Sequence, residues 1–143
     1  MTAQWYGKSM AADEITDFLN DQATGVLSLA SDRRAYGVPM SFAYDDDEQR
    51  AIMDLGFADE SKKREFIETS EEVCLTVYDW NSPHDWTSVI ASGSLESLDE
   101  SDVDDDIEAW YYRVAKDIDV EGDVELEWYE LRVDELSGVA LSE

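Results

Sequence analysis

Two stretches of the chain alternate strictly between bulky hydrophobic and smaller or polar residues, which is the pattern of a β-strand with one buried face. Residues 35–44 place a bulky side chain at every second position, and residues 72–78 do the same with aliphatic side chains. Shorter apolar runs bounded by turn residues predict four further strands. These strands are predicted over residues 26–30, 50–55, 87–98 (with Gly93 as a candidate bulge) and 124–133, the last closing towards Gly138 and Val139.

Three segments are predicted to be helices. Ile15, Phe18 and Leu19 recur at i, i+3 and i+4, which predicts an amphipathic helix over about residues 11–22. Ser61 is a good N-cap for a second helix. The third follows an acidic run, which suits the N-terminal end of a helix dipole. Its apolar positions are Ile107, Trp110, Tyr111 and Val114.

The order of these elements indicates the fold class. Antiparallel hairpins with about three covering helices predict a mostly β, α+β fold whose sheet of about six antiparallel strands closes on itself. The length suits a single domain over residues 1–143. Residues 80–86, which contain two tryptophans and the only histidine, are predicted to be a loop.

The strand over residues 35–44 has one face of small residues. These are Ala35, Gly37, Pro39, Ser41 and Ala43. Such a face lets another sheet or a flat ring ligand approach the backbone, although tight strand packing alone is an equally good interpretation. Pro39 cannot donate a ladder hydrogen bond, which predicts a sheet edge, a bulge or interrupted pairing.

Acidic residues are spread along the whole chain. The 36 Asp and Glu against 10 Lys and Arg give a net charge of −26, while 43% of the residues are hydrophobic. Such a surface repels nucleic-acid phosphates and anionic membranes, so neither is an expected partner. Dense surface carboxylate around an ordinary core predicts a halophilic source, because molar salt, with a Debye length of about 3 Å, screens the self-repulsion.

The residue types present exclude several kinds of site. Cys74 is the only cysteine, so an intramolecular disulfide is impossible and a reducing compartment is favoured. No leader pattern is present and no run reaches the roughly 20 apolar residues of a membrane span, so we expect a soluble cytoplasmic protein. With one cysteine and His84 alone, a metal site and a Ser-His-Asp hydrolase are not expected. No residue stands out as a catalytic acid or base.

Lys62, Lys63 and Arg64 form the only run of three cations in the chain. They are predicted to lie on the first turn of the second helix, where the positive end of the dipole disfavours them. A cation cluster there suggests that an anion binds, most commonly a phosphate. The alternative is a solvated cluster balanced by its acidic neighbours Asp59, Glu60, Glu65 and Glu68.

The pieces follow one another in a recognisable order. They are Gly25–Leu29, Tyr36–Ser41, Ile52–Leu55, Ser61–Lys63, Val73–Val77 and Trp86–Val89. In this order and spacing the chain resembles the pyridoxamine 5′-phosphate oxidase-like family of FMN-binding split β-barrels. The resemblance covers about residues 10–98, with weaker support from residues 131–138. It implies a homodimer that holds FMN in each groove between the two barrels.

The resemblance implies a cofactor site built from four segments. Two strands that follow one another along the chain would contact the flavin through Pro39, Met40 and Ser41 and through Met53, Asp54 and Leu55. The partner subunit would bring Trp86, Thr87 and Ser88, with Trp80 as a further aromatic neighbour. For Trp86, packing at the dimer interface is an equally good interpretation.

The family's Ser-Arg-Lys phosphate motif falls on Ser61, Lys62 and Lys63. Lys62 therefore stands where arginine is usual, and a bidentate guanidinium fork is replaced by a point charge. We expect this change to weaken phosphate binding without abolishing it.

The function implied by the resemblance is that of an FMN-binding oxidoreductase acting on a small molecule. The chain lacks the arginine-rich C-terminal substrate motif of true pyridoxamine phosphate oxidases and offers Glu130, Arg132 and Asp134 instead, so oxidation of that substrate is not expected. Two alternatives stay open. One is use of the deazaflavin F420, whose polyglutamate tail this acidic surface disfavours, and the other is a cofactor-free dimeric barrel with a binding or regulatory role.

Overall fold

Within residues 7–57, 62–114 and 125–142, which this computed structural model describes, the chain forms eight strands and three helices. The strands are β1 Lys8–Ser9, β2 Thr24–Ser31, β3 Arg34–Ser41, β4 Ala43–Asp45, β5 Arg50–Phe57, β6 Val73–Ser82, β7 Asp85–Ser97 and β8 Glu125–Leu141. The helices are α1 Ala12–Asp21, α2 Lys62–Thr69 and α3 Asp105–Val114, and a short 3-10 turn covers Glu100–Asp102.

The strands form one antiparallel sheet in the order β3-β2-β6-β7-β8-β5-β4, with β1 paired to the end of β8. β3 and β4 lie at the two ends of this order, but only Phe42 separates them along the chain. The sheet therefore closes on itself at a bend, where the N–H of Phe42 donates to the carbonyl oxygen of Ala23 at 3.0 Å. The mostly β fold with three helices is confirmed, and the second predicted strand is divided into β3 and β4.

The core fills the inside of this closed sheet. Bulky residues at alternating positions of β2, β5, β6 and β7 point inward, and α1 and α2 close the interior with Leu19 and Phe66, each 1% exposed. A second, smaller cluster lies outside the barrel, where α3 buries Tyr111 against Ala43 and Ile52. No helix in the three described ranges is long and apolar enough to cross a membrane.

The predicted loop over residues 80–86 is wrong. β6 continues to Ser82 and β7 begins at Asp85, so Pro83 and His84 alone form the turn. Trp80 and Trp86 are paired across this hairpin, with their rings stacked at a centroid distance of 6.3 Å. This aromatic cross-strand pair extends the ladder into a segment whose composition is typical of a loop.

Two local predictions are confirmed. β3 pairs with β2 and lies at one end of the strand order, so Pro39 is on an edge strand. The pairing between β7 and β8 shifts register between Ser92 and Gly93, so Gly93 does mark a bulge. Ser61 and residue 124 fall outside the described residues, and the last strand extends beyond its predicted end at Val133 to Leu141.

Candidate functional site

Lys62 is the first residue of α2, as the sequence predicted for the cation cluster. Its ammonium group lies 5.4 Å from the ring centre of Tyr36 on β3 and 5.8 Å from that of Phe66 on α2. These two rings stack on each other with centroids 5.4 Å apart. The ammonium group of Lys62 therefore lies beside an aromatic pair. The side chain is also exposed, so solvent or a ligand can reach this charge.

Lys63 contacts the end of β5. Its Nζ donates a hydrogen bond to the carbonyl oxygen of Gly56 at 2.5 Å and lies 5.6 Å from the ring centre of Phe57. Burial lowers the pKa of Lys63 from its ordinary value, because a half-buried ammonium group loses part of its hydration. An anion bound here would replace that lost hydration.

Arg64, the third cation of the run, is already neutralised by the fold. Its guanidinium forms an ion pair with Glu127 of β8 at 2.7 Å and lies over the ring of Phe57 at 4.3 Å. The cluster of three cations predicted from the sequence is therefore two lysines directed at different strands and one arginine with an acidic partner.

The small face of β3 points outward, as the alternation predicted. Ala35, Gly37 and Pro39 are exposed, whereas Tyr36 and Met40 on the other face pack against the core. Of the three β3 residues predicted to contact a cofactor, Pro39 and Ser41 thus lie on the outer face and Met40 on the inner one. The outer face is the surface that an external ligand can reach.

The predicted contacts on β5 lie where α3 and the core enclose them. The side chains of Met53 and Leu55 are only 0% and 2% exposed and belong to the barrel interior. Asp54 points outward but is covered by α3, since the hydroxyl of Tyr112 donates to its Oδ2 at 2.8 Å. The backbone N–H of Asp54 donates to the hydroxyl oxygen of Tyr111 at 3.1 Å. These three side chains are not brought together with the lysines.

Trp86 and Ser88 lie on the same outer face as Pro39. Pro39 pairs with Val26, Val26 with Thr76, and Thr76 with Ile90, which is two residues from Ser88. Residues directly opposite one another in a ladder share a face, and so do alternate residues of one strand. Three strand spacings, about 14 Å in all, therefore separate the predicted segments of β3 and β7 within one chain. Thr87 has the opposite orientation.

A concavity of about 860 Å³ opens on this outer face. Small side chains of β2, β3, β6 and β7 form its floor, namely Ser28, Ala30, Ala35, Cys74 and Ser92. Asp32, Glu71 and Glu72 make its rim acidic. This volume lies in the range of small-molecule sites, and its charge suits the uncharged part of a ligand better than a phosphate.

Several residues beside the lysines were not predicted from the sequence as parts of the site. They are Arg34, Tyr36, Gly56, Phe57 and Phe66. One signal was available, because Lys62 and Phe66 are four residues apart on a helix and so share its surface. No group of three or more metal-binding side chains occurs in the described part of the chain, and His84 is exposed in its turn.

The sequence matches the family model described as pyridoxamine 5′-phosphate oxidase over residues 11–140. The chain belongs to the pyridoxamine 5′-phosphate oxidase family. A comparison with curated proteins finds no match. The family resemblance predicted from the order of the sequence motifs is therefore confirmed over most of the chain.

Solved structures of similar fold include flavin-binding proteins. The FAD-binding protein from Mycobacterium smegmatis has a TM-score of 0.69 at 16% identity, with 95% of this chain and 99% of that chain covered. An FAD-binding protein from Mesorhizobium loti has a TM-score of 0.69 at 20% identity, with coverage of 94% and 98%. A flavocytochrome from Azotobacter vinelandii has a TM-score of 0.68 at 12% identity, covering 100% of this chain and 72% of its own. At such identities the likeness shows the fold alone, which is the split β-barrel.

This member of the pyridoxamine 5′-phosphate oxidase family uses Arg50 of β5 and Arg132 of β8 for internal ion pairs. Glu130, only 4% exposed, accepts hydrogen bonds from Arg50 at 2.8 Å through Oε2 and from Arg132 at 2.8 Å through Oε1. Arg50 also bonds to Asp45 at 3.1 Å. The Arg50–Glu130 pair links β5 to β8, and both guanidinium groups have acidic partners, so neither is a free charge for a phosphorylated substrate.

Proposed function

We propose that this protein binds FMN between two copies of its barrel and acts as an FMN-dependent oxidoreductase on a small molecule. The observation that carries the proposal is the placement of Lys62 and Lys63 at the start of α2. In a chain of net charge −26, neither lysine forms an ion pair with a carboxylate of the described ranges. Two cations that lack acidic partners among the described residues of so acidic a protein favour an anionic ligand.

The outer face supports a site shared between two chains. Pro39 and Trp86 are separated by three strand spacings across the sheet and by a further four residues along β7, too far to hold the two sides of one flavin ring. A second copy placed against this face would bring its own Trp86 and Ser88 to the β3 edge of the first. Exposed apolar side chains on this face favour such pairing, since Tyr78, Trp80 and Ile90 are 61%, 59% and 42% exposed.

The residues present suit the parts of FMN. Lys62 and Lys63 would hold the phosphate, and the small outer residues of β3 would let the flat ring approach the backbone. When bound, FMN supplies the electron-transfer chemistry, and the protein orients it and limits access of water. The acidic rim formed by Asp32, Glu71 and Glu72 disfavours the polyglutamate tail of F420, which keeps F420 the second choice.

Flavin titration in molar potassium chloride tests this proposal. We expect bound FMN to show a shifted flavin absorbance, and FMN to bind at least tenfold more tightly than riboflavin. Charged contacts of about 1.5–3 kcal/mol to the phosphate correspond to that ratio. Equal affinities for FMN and riboflavin would show that the phosphate is not recognised. Failure of every flavin to bind would favour the cofactor-free barrel. Tighter binding of FAD or F420 than of FMN would identify that compound as the cofactor in place of FMN.

The shared site has a separate test. Light scattering in the same buffer should give twice the mass of one chain. Ile90→Arg places a charge on the exposed apolar surface and should produce the monomer while leaving the fold intact. Flavin binding should then fall with dimerisation. A wild-type monomer that binds FMN with full affinity would contradict a composite site.

A further inference from the structure

Two cations from different elements converge on one aromatic pair at the end of the barrel. The guanidinium carbon of Arg34 lies 5.1 Å from the ring centre of Phe66, and the ammonium of Lys62 lies 5.8 Å from the same ring. Tyr36 stacks against that ring and also meets Lys62. Because both charges lie near the same ring, one anion beside that ring can approach both.

The β2–β3 hairpin fixes the position of Arg34. Asp32 and Arg33 have φ angles of 50° and 62°, which is the backbone of a two-residue turn with both central residues left-handed. Ser31 and Arg34 are the paired residues that close this turn. Arg34 and Tyr36 lie two residues apart on one strand and so share its inner face, which directs both towards α2.

Arg34, like Lys62, lacks an acidic partner in the part of the chain that the structure describes. The ion pairs there use Arg50, Arg64 and Arg132, and none includes Arg34 or Lys62. Both side chains are exposed, so a ligand at the edge of the aromatic pair can reach both charges. An arginine and a lysine near one ring, neither with an acidic partner among the described residues, match a phosphate monoester, which accepts several hydrogen bonds and carries up to two charges.

We propose that Arg34 is a binding residue for the phosphate end of the ligand held by Lys62, and that it supplies from the hairpin the guanidinium that position 62 lacks. The inference rests on the proposed FMN site. It adds a residue from β3 to a phosphate site otherwise built at the head of α2. A planar guanidinium offers two parallel donors, whereas the lysines contribute point charges.

A matched pair of variants tests this role by the dissociation constants of FMN and riboflavin at one fixed salt concentration. Arg34→Gln should weaken FMN binding at least tenfold and change riboflavin binding less than twofold. Arg33→Gln removes the same charge from the same turn and should change both constants less than twofold. Arg34→Lys, which keeps the charge without the fork, should fall between wild type and Arg34→Gln.

A rescue experiment separates a ligand contact from a structural one. Lys62→Arg in the Arg34→Gln background should recover at least threefold in FMN affinity, because a guanidinium returns to the phosphate from the helix side. An Arg34→Gln variant that binds FMN as wild type does, that loses FMN and riboflavin affinity equally, or that is not rescued by Lys62→Arg would overturn the assignment. A wild-type protein that does not prefer FMN to riboflavin would instead overturn the proposed function itself.

Discussion

A Cβ atom added to Gly93 would lie 1.8 Å from the carbonyl oxygen of Arg132 on the neighbouring strand. The contact arises at the bulge where β7 shifts register against β8, and the opposing atom belongs to the backbone. The close approach therefore cannot be relieved by a side-chain rotation. The glycine thus allows β7 and β8 to approach closely at the bulge.

Gly93→Ala should consequently destabilise the protein by about 3 kcal/mol or more, at or above the upper end of ordinary overpacking costs. Denaturant unfolding at fixed salt measures the change. Gly37→Ala serves as a control, since its Cβ would meet Val26 at an ordinary 3.6 Å. If both variants unfold at the wild-type midpoint, β7 and β8 do not approach each other as closely at Gly93 as described.

Lys63→Ala should reduce FMN affinity tenfold or more, since a charged contact to phosphate contributes roughly 1.5–3 kcal/mol. Riboflavin has no phosphate, so measuring its affinity in parallel shows whether the lost binding energy belongs to the phosphate contact. Lys8→Ala is a suitable control because Lys8 is an exposed cation on β1. Unchanged FMN affinity in Lys63→Ala would argue strongly against a phosphate at this end of the barrel.

Burial of Lys63 also has a consequence for stability. Its pKa is lowered from the ordinary value of 10.5 by desolvation, so the folded protein releases this proton at a lower pH than the unfolded chain. Below the folded-state pKa the buried charge opposes folding, and this cost is relieved as the pH rises towards 10.5. Lys63→Met removes the cost, so its stability relative to wild type should be greatest near neutral pH.

Urea unfolding of both proteins between pH 7 and about 10.5 tests this effect. The raised pKa values of Tyr44 and Tyr129, caused chiefly by burial, affect both proteins alike and cancel in the difference. The difference in unfolding free energy between Lys63→Met and wild type should move steadily in favour of wild type as the pH increases. A difference that stays constant would contradict the buried charge.

The net charge of −26 predicts strong dependence on salt. The unfolding temperature should rise as potassium chloride increases from about 0.1 M to molar concentration, because the Debye length falls from about 10 Å to about 3 Å. A differential scanning series in potassium chloride measures it. Equal unfolding temperatures at low and molar salt would refute the halophilic interpretation.

Local sequence pattern predicted the barrel well, because strand alternation directly reflects which residues face the core. Val73, Leu75 and Val77 are all 1% exposed or less, as their spacing required. β1 was not predicted because two residues, Lys8 and Ser9, are too few to show a period. The end of the β6–β7 hairpin was missed because it is extended by a contact between Trp80 and Trp86 that composition alone does not reveal.

The candidate site was predicted only in part. The placement of Lys62 and Lys63 at the head of α2 follows from local sequence, and the structure agrees. The hydrogen bond by which Tyr112 covers Asp54 joins residues 58 positions apart, so it depends on how α3 packs against β5. The approach of Arg34 to Phe66 depends in the same way on packing between a hairpin and a helix. Such long-range contacts leave no period in the sequence.

Lys62 and Lys63 are proposed to hold the phosphate of an FMN shared by two barrels. A crystal structure of the protein grown with excess FMN in molar salt would show where that phosphate binds. We expect a dimer in which the FMN phosphate lies within hydrogen-bonding distance of Lys62 and Lys63 of one chain, with Trp86 of the other chain at the flavin. A monomer, or an FMN phosphate bound away from the start of α2, would contradict it.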